Sequence, residues 1–366
     1  MSRRFMVAPA GARSLLRRVL TALLVTLLMV GLGGCRLPEA WPLARVWATV
    51  TPTIMPSPTT TATPTATSTA TPTPTSTPTQ TPTPSPTPRP LSVELVLEPA
   101  VVSEGHTASV LVRSSEPSDV FVSIGDLAVP MVAVGDGLHA GLYGVGALAG
   151  EGIFPVSVTV MSQDGRIAKI GASLVTLAGD FESEALVFEP STEALLAPDV
   201  SQPEAERVAA IFADSELAML WAQPFQWPRE DRLTSLFGTR RTYGTTLASY
   251  HAGLDIAGLE GAPVLAAASG TVVLAEPLQV RGNAVIIDHG AGVMSGYFHL
   301  SAMHVATGDR VSAGQLIGDV GATGLVTGSH LHWEMRVNGV AVDPIEWLGR
   351  EFPWQVEAGD GALPAP

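Results

Sequence analysis

Apolar and polar residues alternate in short runs from residue 91 to 180, notably at 92–97, 108–113, 121–124 and 155–160. That period belongs to strands with one buried face. Clusters of Gly, Asp, Ser and Pro separate the runs, and Asp164-Gly165 is a hairpin-turn pair. Many short strands joined by turns predict a small β-sandwich. The period changes at 202–222. Pro203-Glu204-Ala205-Glu206-Arg207 opens a stretch in which Val208, Ile211, Phe212, Leu217, Leu220 and Trp221 recur with roughly helical spacing. Pro224 and Pro228 end it, so a linking helix is expected over 202–222. Strand-like runs then return at 271–274 and 284–287. Asn338-Gly339, between 334–337 and 340–342, is a strong hairpin signal. The expected fold class is mainly β: a small N-terminal β-sandwich, a linking helix and a C-terminal β-rich domain.

Two segments carry neither period. Residues 1–18 hold Arg3, Arg4, Arg13, Arg17 and Arg18 and no acid, and 19–32 is almost wholly apolar. A basic flank before a short apolar run is the pattern of a secretory signal. It ends in Leu32-Gly33-Gly34-Cys35, which resembles a bacterial lipobox. The expectation is lipidation of Cys35 and an extracytoplasmic protein anchored to the cell membrane. From 51 to 90 Pro and Thr alternate, with Arg89 as the only charge. Such a segment cannot bury a core. At about 3.1 Å per residue it would reach on the order of 100 Å, a semi-rigid spacer. The expected division is a lipoprotein signal (1–35), a Pro/Thr-rich stalk (36–90), a β-sandwich accessory domain (91–180), a linker with helix (181–222), a β-rich domain (223–350) and a C-terminal tail (351–366).

With 366 residues, 46% of them hydrophobic, the chain can bury more than one core. Its net charge of −14 argues against nucleic acid as a partner, because phosphate binding needs clustered Lys and Arg. A single cysteine excludes a disulfide framework, an iron–sulfur cluster and a Cys-rich zinc site. Any metal must be held by His and carboxylate. Six of the eight histidines fall between His251 and His332. Two patterns stand out there: His251-Ala252-Gly253-Leu254-Asp255, and His330-Leu331-His332-Trp333-Glu334. On a strand, residues two apart share a face, so His330 and His332 project side by side. Imidazole and carboxylate without thiolate, with a position left open, is the composition of a catalytic zinc site. Tyr297-Phe298-His299-Leu300 lies between the two patterns and makes their order specific.

From Ser235 to Trp347 the chain resembles the lysostaphin-like, or LytM-type, zinc endopeptidases, which cut peptide cross-bridges of bacterial cell walls. The resemblance runs through Ser235-Leu236-Phe237-Gly238, His251-Ala252-Gly253-Leu254-Asp255, Gly282-Asn283, Ile287-Asp288-His289-Gly290, Tyr297-Phe298-His299-Leu300-Ser301, Gly328-Ser329-His330-Leu331-His332-Trp333-Glu334 and Val342-Asp343-Pro344. It implies that the 223–350 domain is a metallopeptidase. It makes His251, Asp255 and His332 the zinc ligands and His299 and His330 the acid–base and transition-state groups, with Tyr243 or Tyr250 as a further oxyanion donor. Phe298 stands where that family often has alanine and Ser329 where it often has proline, positions in the groove wall. The implied function is zinc-dependent hydrolysis of peptide bonds in peptidoglycan. The alternative is a catalytically idle regulator that binds the wall and acts on other hydrolases.

The remaining candidates have plainer readings. His106, His139 and His304 read as surface or loop residues and His289 as a structural one. Asp288 and Glu334 are open between orienting a ligand imidazole and being solvated strand residues.

Overall fold

The computed structural model describes residues 90–185, 194–243, 246–352 and Trp354, excluding the side chains of 242–248. These residues belong to one compact unit. The signal, Cys35 and the stalk as far as Arg89 lie outside them.

The N-terminal alternation folds as two facing sheets. One has the order Val93–Glu98, Thr107–Ser114, Leu138–Gly144, Val132–Gly135. The other runs Val101–Ser103, Ile167–Leu177, Gly152–Ser162, Ser118–Ile124, Leu127–Val129. Val110 and Val112 from the first share a core with Val122, Ile124, Val156, Val158 and Leu174 from the second. The first sheet is also covered on its outer face. Leu111, Leu138, Ala140 and Leu142 join the main core of the C-terminal half, together with Trp333, Met335 and Val337. Thr107–Ser114 is accordingly buried at nearly every position, as a strand packed on both faces must be. His139 therefore lies half-buried in a strand, contrary to its surface reading, while His106 is exposed.

The helix spans Pro198–Phe212. It starts earlier than the predicted 202 and stops well short of Pro224. Pro198 takes its first position, where a missing N–H costs little, whereas Pro203 lies inside it and removes one helical hydrogen bond. Its end is set by Asp288, whose carboxylate accepts from Ser215 Oγ at 2.6 Å and from Glu216 N at 2.8 Å and draws the chain out of helical geometry. Trp221 then enters the main core, with ring centroids 5.8 Å from Phe225 and 6.1 Å from Phe352. The helix buries Glu204, Val208 and Phe212.

The C-terminal half is built on an eight-stranded sheet. Seven strands follow the order Leu233–Ser235, Leu254–Ala257, His330–Val337, Val293–Leu300, Asn283–Gly290, Gly270–Pro277, Arg310–Val311, and Val340–Val342 pairs with His330–Val337. The Asn338-Gly339 hairpin forms as expected, with φ of 49° and 80°. Leu331, Trp333, Met335, Val337 and Tyr297 face the main core. The opposite face meets the helix, through Leu274, Ala284, Ile286, Met294 and Phe298 against Val208 and Phe212. This helix-bearing face also carries the site.

Candidate metal centre

Strand register assembles the site. Asp255 lies directly across from His332, Ala257 across from His330, and Phe298 across from His332 on the other side. Directly paired residues share a face, so one row carries Asp255, His332 and Phe298. His251 precedes the Leu254–Ala257 strand and is wholly buried. Its backbone is held by Thr239 O at 2.9 Å and Gly238 N at 2.8 Å. Gly253 lets the 251–255 segment lie against the neighbouring strand, since a Cβ there would meet Trp333 O at 2.3 Å.

His251 Nε2 lies 3.0 Å and His332 Nδ1 2.8 Å from Asp255 Oδ1, and the two nitrogens are 2.9 Å apart. The far side of each ring faces acceptors. His251 Nδ1–H donates to Leu236 O at 2.9 Å, with Ser235 Oγ at 3.1 Å. His332 Nε2–H donates to Glu334 Oε1 at 3.2 Å, and Arg336 holds the other Glu334 oxygen at 2.7 and 2.9 Å. In neutral imidazoles these bonds leave lone pairs on the inner nitrogens. Two lone pairs and a carboxylate oxygen thus converge, and a cation satisfies all three.

The titration behaviour agrees. Burial, against the Asp255 carboxylate, lowers the His251 pKa and keeps it neutral. Burial opposes ionisation of Asp255, but hydrogen bonds from His251, His330 and His332 hold its carboxyl well below the usual range. Burial also disfavours a charged His332, yet Asp255 and Glu334 outweigh it and raise its pKa. A cation in the site would thus compete with a proton for His332. The residues fit a zinc ion: three N/O donors, no thiolate, and oriented imidazoles.

The second pair of histidines borders the same space. The ring centroid of His299 is 5.1 Å from that of His330 and 5.9 Å from that of His332. His299 Nδ1–H donates to Thr323 O at 2.8 Å, and burial, with the charges of His332 and His330, pushes its pKa down to about 3. Its Nε2 is therefore an unprotonated acceptor. His330 Nδ1–H donates to Gly328 O at 2.8 Å, and its Nε2 lies 3.4 Å from Asp255 Oδ1. Both rings tie Nδ1 to a carbonyl, which turns Nε2 of His299 toward the shared space and Nε2 of His330 toward the Asp255 carboxylate.

Residues 249–344 match the model of peptidase family M23. This segment is an M23 peptidase domain. Among curated relatives, the peptidoglycan DD-endopeptidase ShyC of Vibrio cholerae is 41% identical over 114 residues, 31% of this chain and 26% of its own. The murein hydrolase activator NlpD of Escherichia coli is 35% identical over 125 residues, 34% of this chain and 31% of its own. The chain thus spans about a quarter to a third of the length of the curated relatives it matches. A crystal structure from Pseudomonas aeruginosa titled as an M23 peptidase superposes over 68% of this chain and 96% of its own, with a TM-score of 0.50 and 24% identity. That likeness is one of fold, and it extends well beyond the 249–344 segment.

Within the M23 domain the five residues expected to act together do lie together. Glu334 resolves in favour of orienting an imidazole. Asp288 does neither of the things considered: it is buried and accepts from Ser215 Oγ and from the backbone N–H groups of Glu216 and Gly290. His289 is structural: its Nδ1–H donates to Ser269 O and its Nε2 pairs with Ser295 Oγ, both at 2.8 Å. His304 pairs with Asp319 at 2.8 Å. Tyr250 packs its ring 6.1 Å from Phe237, while the side chain of Tyr243 lies outside the described residues. Phe298 stacks on His332 at 5.8 Å, and Ser329 Oγ donates to Gly258 O at 2.9 Å. One residue was not anticipated: Arg241 reaches Asp255 Oδ2 at 3.4 Å and Glu184 Oε1 at 2.7 Å. Nothing local in Arg240-Arg241 signals this, because both partners lie elsewhere in the chain.

Glu334→Gln should weaken zinc binding about 10- to 100-fold by loosening the His332 ring. Competition with a chromogenic chelator measures it, and an unchanged affinity would show that the ring is held by packing alone.

Proposed function

We propose that this chain is a zinc-dependent endopeptidase that hydrolyses peptide bonds in peptidoglycan. The reading rests on one observation above the rest. A complete His-His-Asp donor set adjoins two further imidazoles, His299 and His330, each oriented by an Nδ1–H bond to a backbone carbonyl. His251, Asp255 and His332 would hold the metal. When bound, zinc supplies Lewis acidity, polarising the scissile carbonyl and making water nucleophilic near neutral pH. Leu236 O and Glu334 keep the ligand imidazoles in their tautomers. His299 presents an unprotonated Nε2 to the attacking water, as its tie to Thr323 O dictates. A protonated His330 donates from Nε2 to the developing oxyanion or the leaving nitrogen.

The peptidoglycan substrate is carried over from relatives such as the DD-endopeptidase of Vibrio cholerae. An extracytoplasmic location, a lipid anchor at Cys35 and a stalk over 36–90 belong to the same proposal, with 91–180 as accessory domain. Cys35→Ala should then leave the protein unlipidated. Detergent partitioning tests this, and unchanged partitioning with an unmodified wild-type Cys35 removes the anchor from the account.

A second reading is favoured by the relative named as a murein hydrolase activator: the chain binds the wall and regulates other hydrolases. Zinc content of the purified chain, read with turbidity loss of a cell-wall suspension, separates the two. Metal with lysis supports the endopeptidase, and metal without lysis supports the regulator.

A further inference from the structure

The helix Pro198–Phe212 lies outside the family-matched residues 249–344. Its inward face is apolar at Val208 and Phe212 but carries a carboxylate at Glu204, which is 9% exposed. Packing alone would be served by another apolar side chain, and a buried charge is costly unless its oxygens are fully bonded. Those of Glu204 are. Oε2 accepts from Val280 N at 2.7 Å, and Oε1 accepts from Arg281 N and Arg281 Nη1, each at 3.1 Å. Two successive backbone N–H groups aimed at one carboxylate fix the 280–281 peptide.

The next bond in the chain reaches the site. Arg281 O accepts from His299 N at 2.9 Å. His299 has φ of 64°, a left-handed conformation unfavourable for a residue with a Cβ and kept only where surroundings impose it. The side-chain tie of His299, to Thr323 O, depends on the same loop. Leu325 N donates to Val280 O at 2.8 Å, and Asn283 N donates to Thr323 Oγ1 at 2.9 Å. Backbone and ring of His299 are thus both referred to the 280–283 loop, which Glu204 clamps. Arg281 also lies over the Phe298 ring at 5.5 Å, beside His332.

We propose that Glu204 is a positioning residue for His299, acting from the helix through the Val280-Arg281 backbone. The inference rests on the reading of His299 as a catalytic group. It makes the helix part of the catalytic apparatus although the family-matched segment begins after it.

The test is a double-mutant cycle in the full zinc-loaded chain on purified muropeptide dimers, with zinc content and melting temperature measured alongside. Glu204→Ala should lower kcat roughly 10- to 100-fold, the scale of a misplaced reacting group, with KM within about twofold and zinc retained. In a His299→Ala background the same change should cost less than about twofold, because the group it positions is gone. Glu204→Gln loses the bond to Val280 N but keeps the shape, and takes the place of Glu204→Ala if that variant melts below the assay temperature. An unchanged kcat, a rise in KM alone, or a loss that multiplies with that of His299→Ala overturns the proposal. If His299→Ala itself leaves kcat intact, the role of His299 fails and the proposal with it. A normal loss for His299→Ala with none for Glu204→Ala sinks only the clamp.

Discussion

His332→Ala should lose its zinc, whereas His330→Ala should retain near-stoichiometric zinc and lose about 100-fold or more in rate, the usual scale for a positioned acid–base group. The two residues stand two apart on one strand face, yet their rings serve different ends. His332 Nδ1 meets Asp255 Oδ1 at 2.8 Å and its Nε2 is held by Glu334. His330 is tied by Nδ1 to Gly328 O, and its Nε2 stands off Asp255 at 3.4 Å. His251→Ala and Asp255→Ala should behave as His332→Ala does, since two donors do not hold the ion in competition with water. His299→Ala should behave as His330→Ala does. Metal analysis of dialysed protein and rates on a soluble peptide give both quantities. Loss of zinc from His330→Ala, or its retention by His332→Ala, would falsify these assignments even with the M23 family standing.

Gly253→Ala should strip the metal without touching any ligand. A Cβ at this position would meet Trp333 O at 2.3 Å, Trp333 C at 2.9 Å and Glu334 Cγ at 3.0 Å. All three belong to the strand that carries His332. Backbone atoms cannot yield as a flexible side chain can, so the 251–255 segment must move away. His251 and Asp255 would move with it, away from His332. Overpacking of this kind costs about 1–3 kcal/mol, and the melting temperature should fall accordingly. Zinc affinity should fall at least about tenfold, by the same reasoning that applies to misplaced metal ligands. A variant with wild-type zinc affinity would mean that the close approach of the two segments does not shape the site.

Much of this site is legible in the chain because its parts are local. Period-two spacing puts His330 and His332 on one face, and Glu334, two further on, shares it. The hairpin at Asn338-Gly339 needs only two residues able to take positive φ. What local pattern cannot report is which distant element covers a face. Thr107–Ser114 reads as a half-buried strand, but it is packed on both sides because a second sheet lies against each. The helical spacing of Leu217, Leu220 and Trp221 continues past Phe212, but Asp288, distant in sequence, claims the backbone at Glu216 and ends the helix. Arg241 and Glu204 carry no local signature at all, since their partners are Asp255 and the 280–281 backbone. The left-handed backbone of His299 is likewise set from outside, by Arg281 O and the loop around it.

The most direct test of the central claim is mass analysis of muropeptides incubated with the full chain as purified, after chelation, and after zinc is restored. The account predicts cleavage of cross-linked dimers at one peptide bond, with a new amine and a new carboxylate in equal amounts. It also predicts that this activity is lost on chelation and returns with about one zinc per chain, the capacity of a single three-donor site. Intact dimers in the zinc-loaded sample, or cleavage that persists without metal, would contradict it.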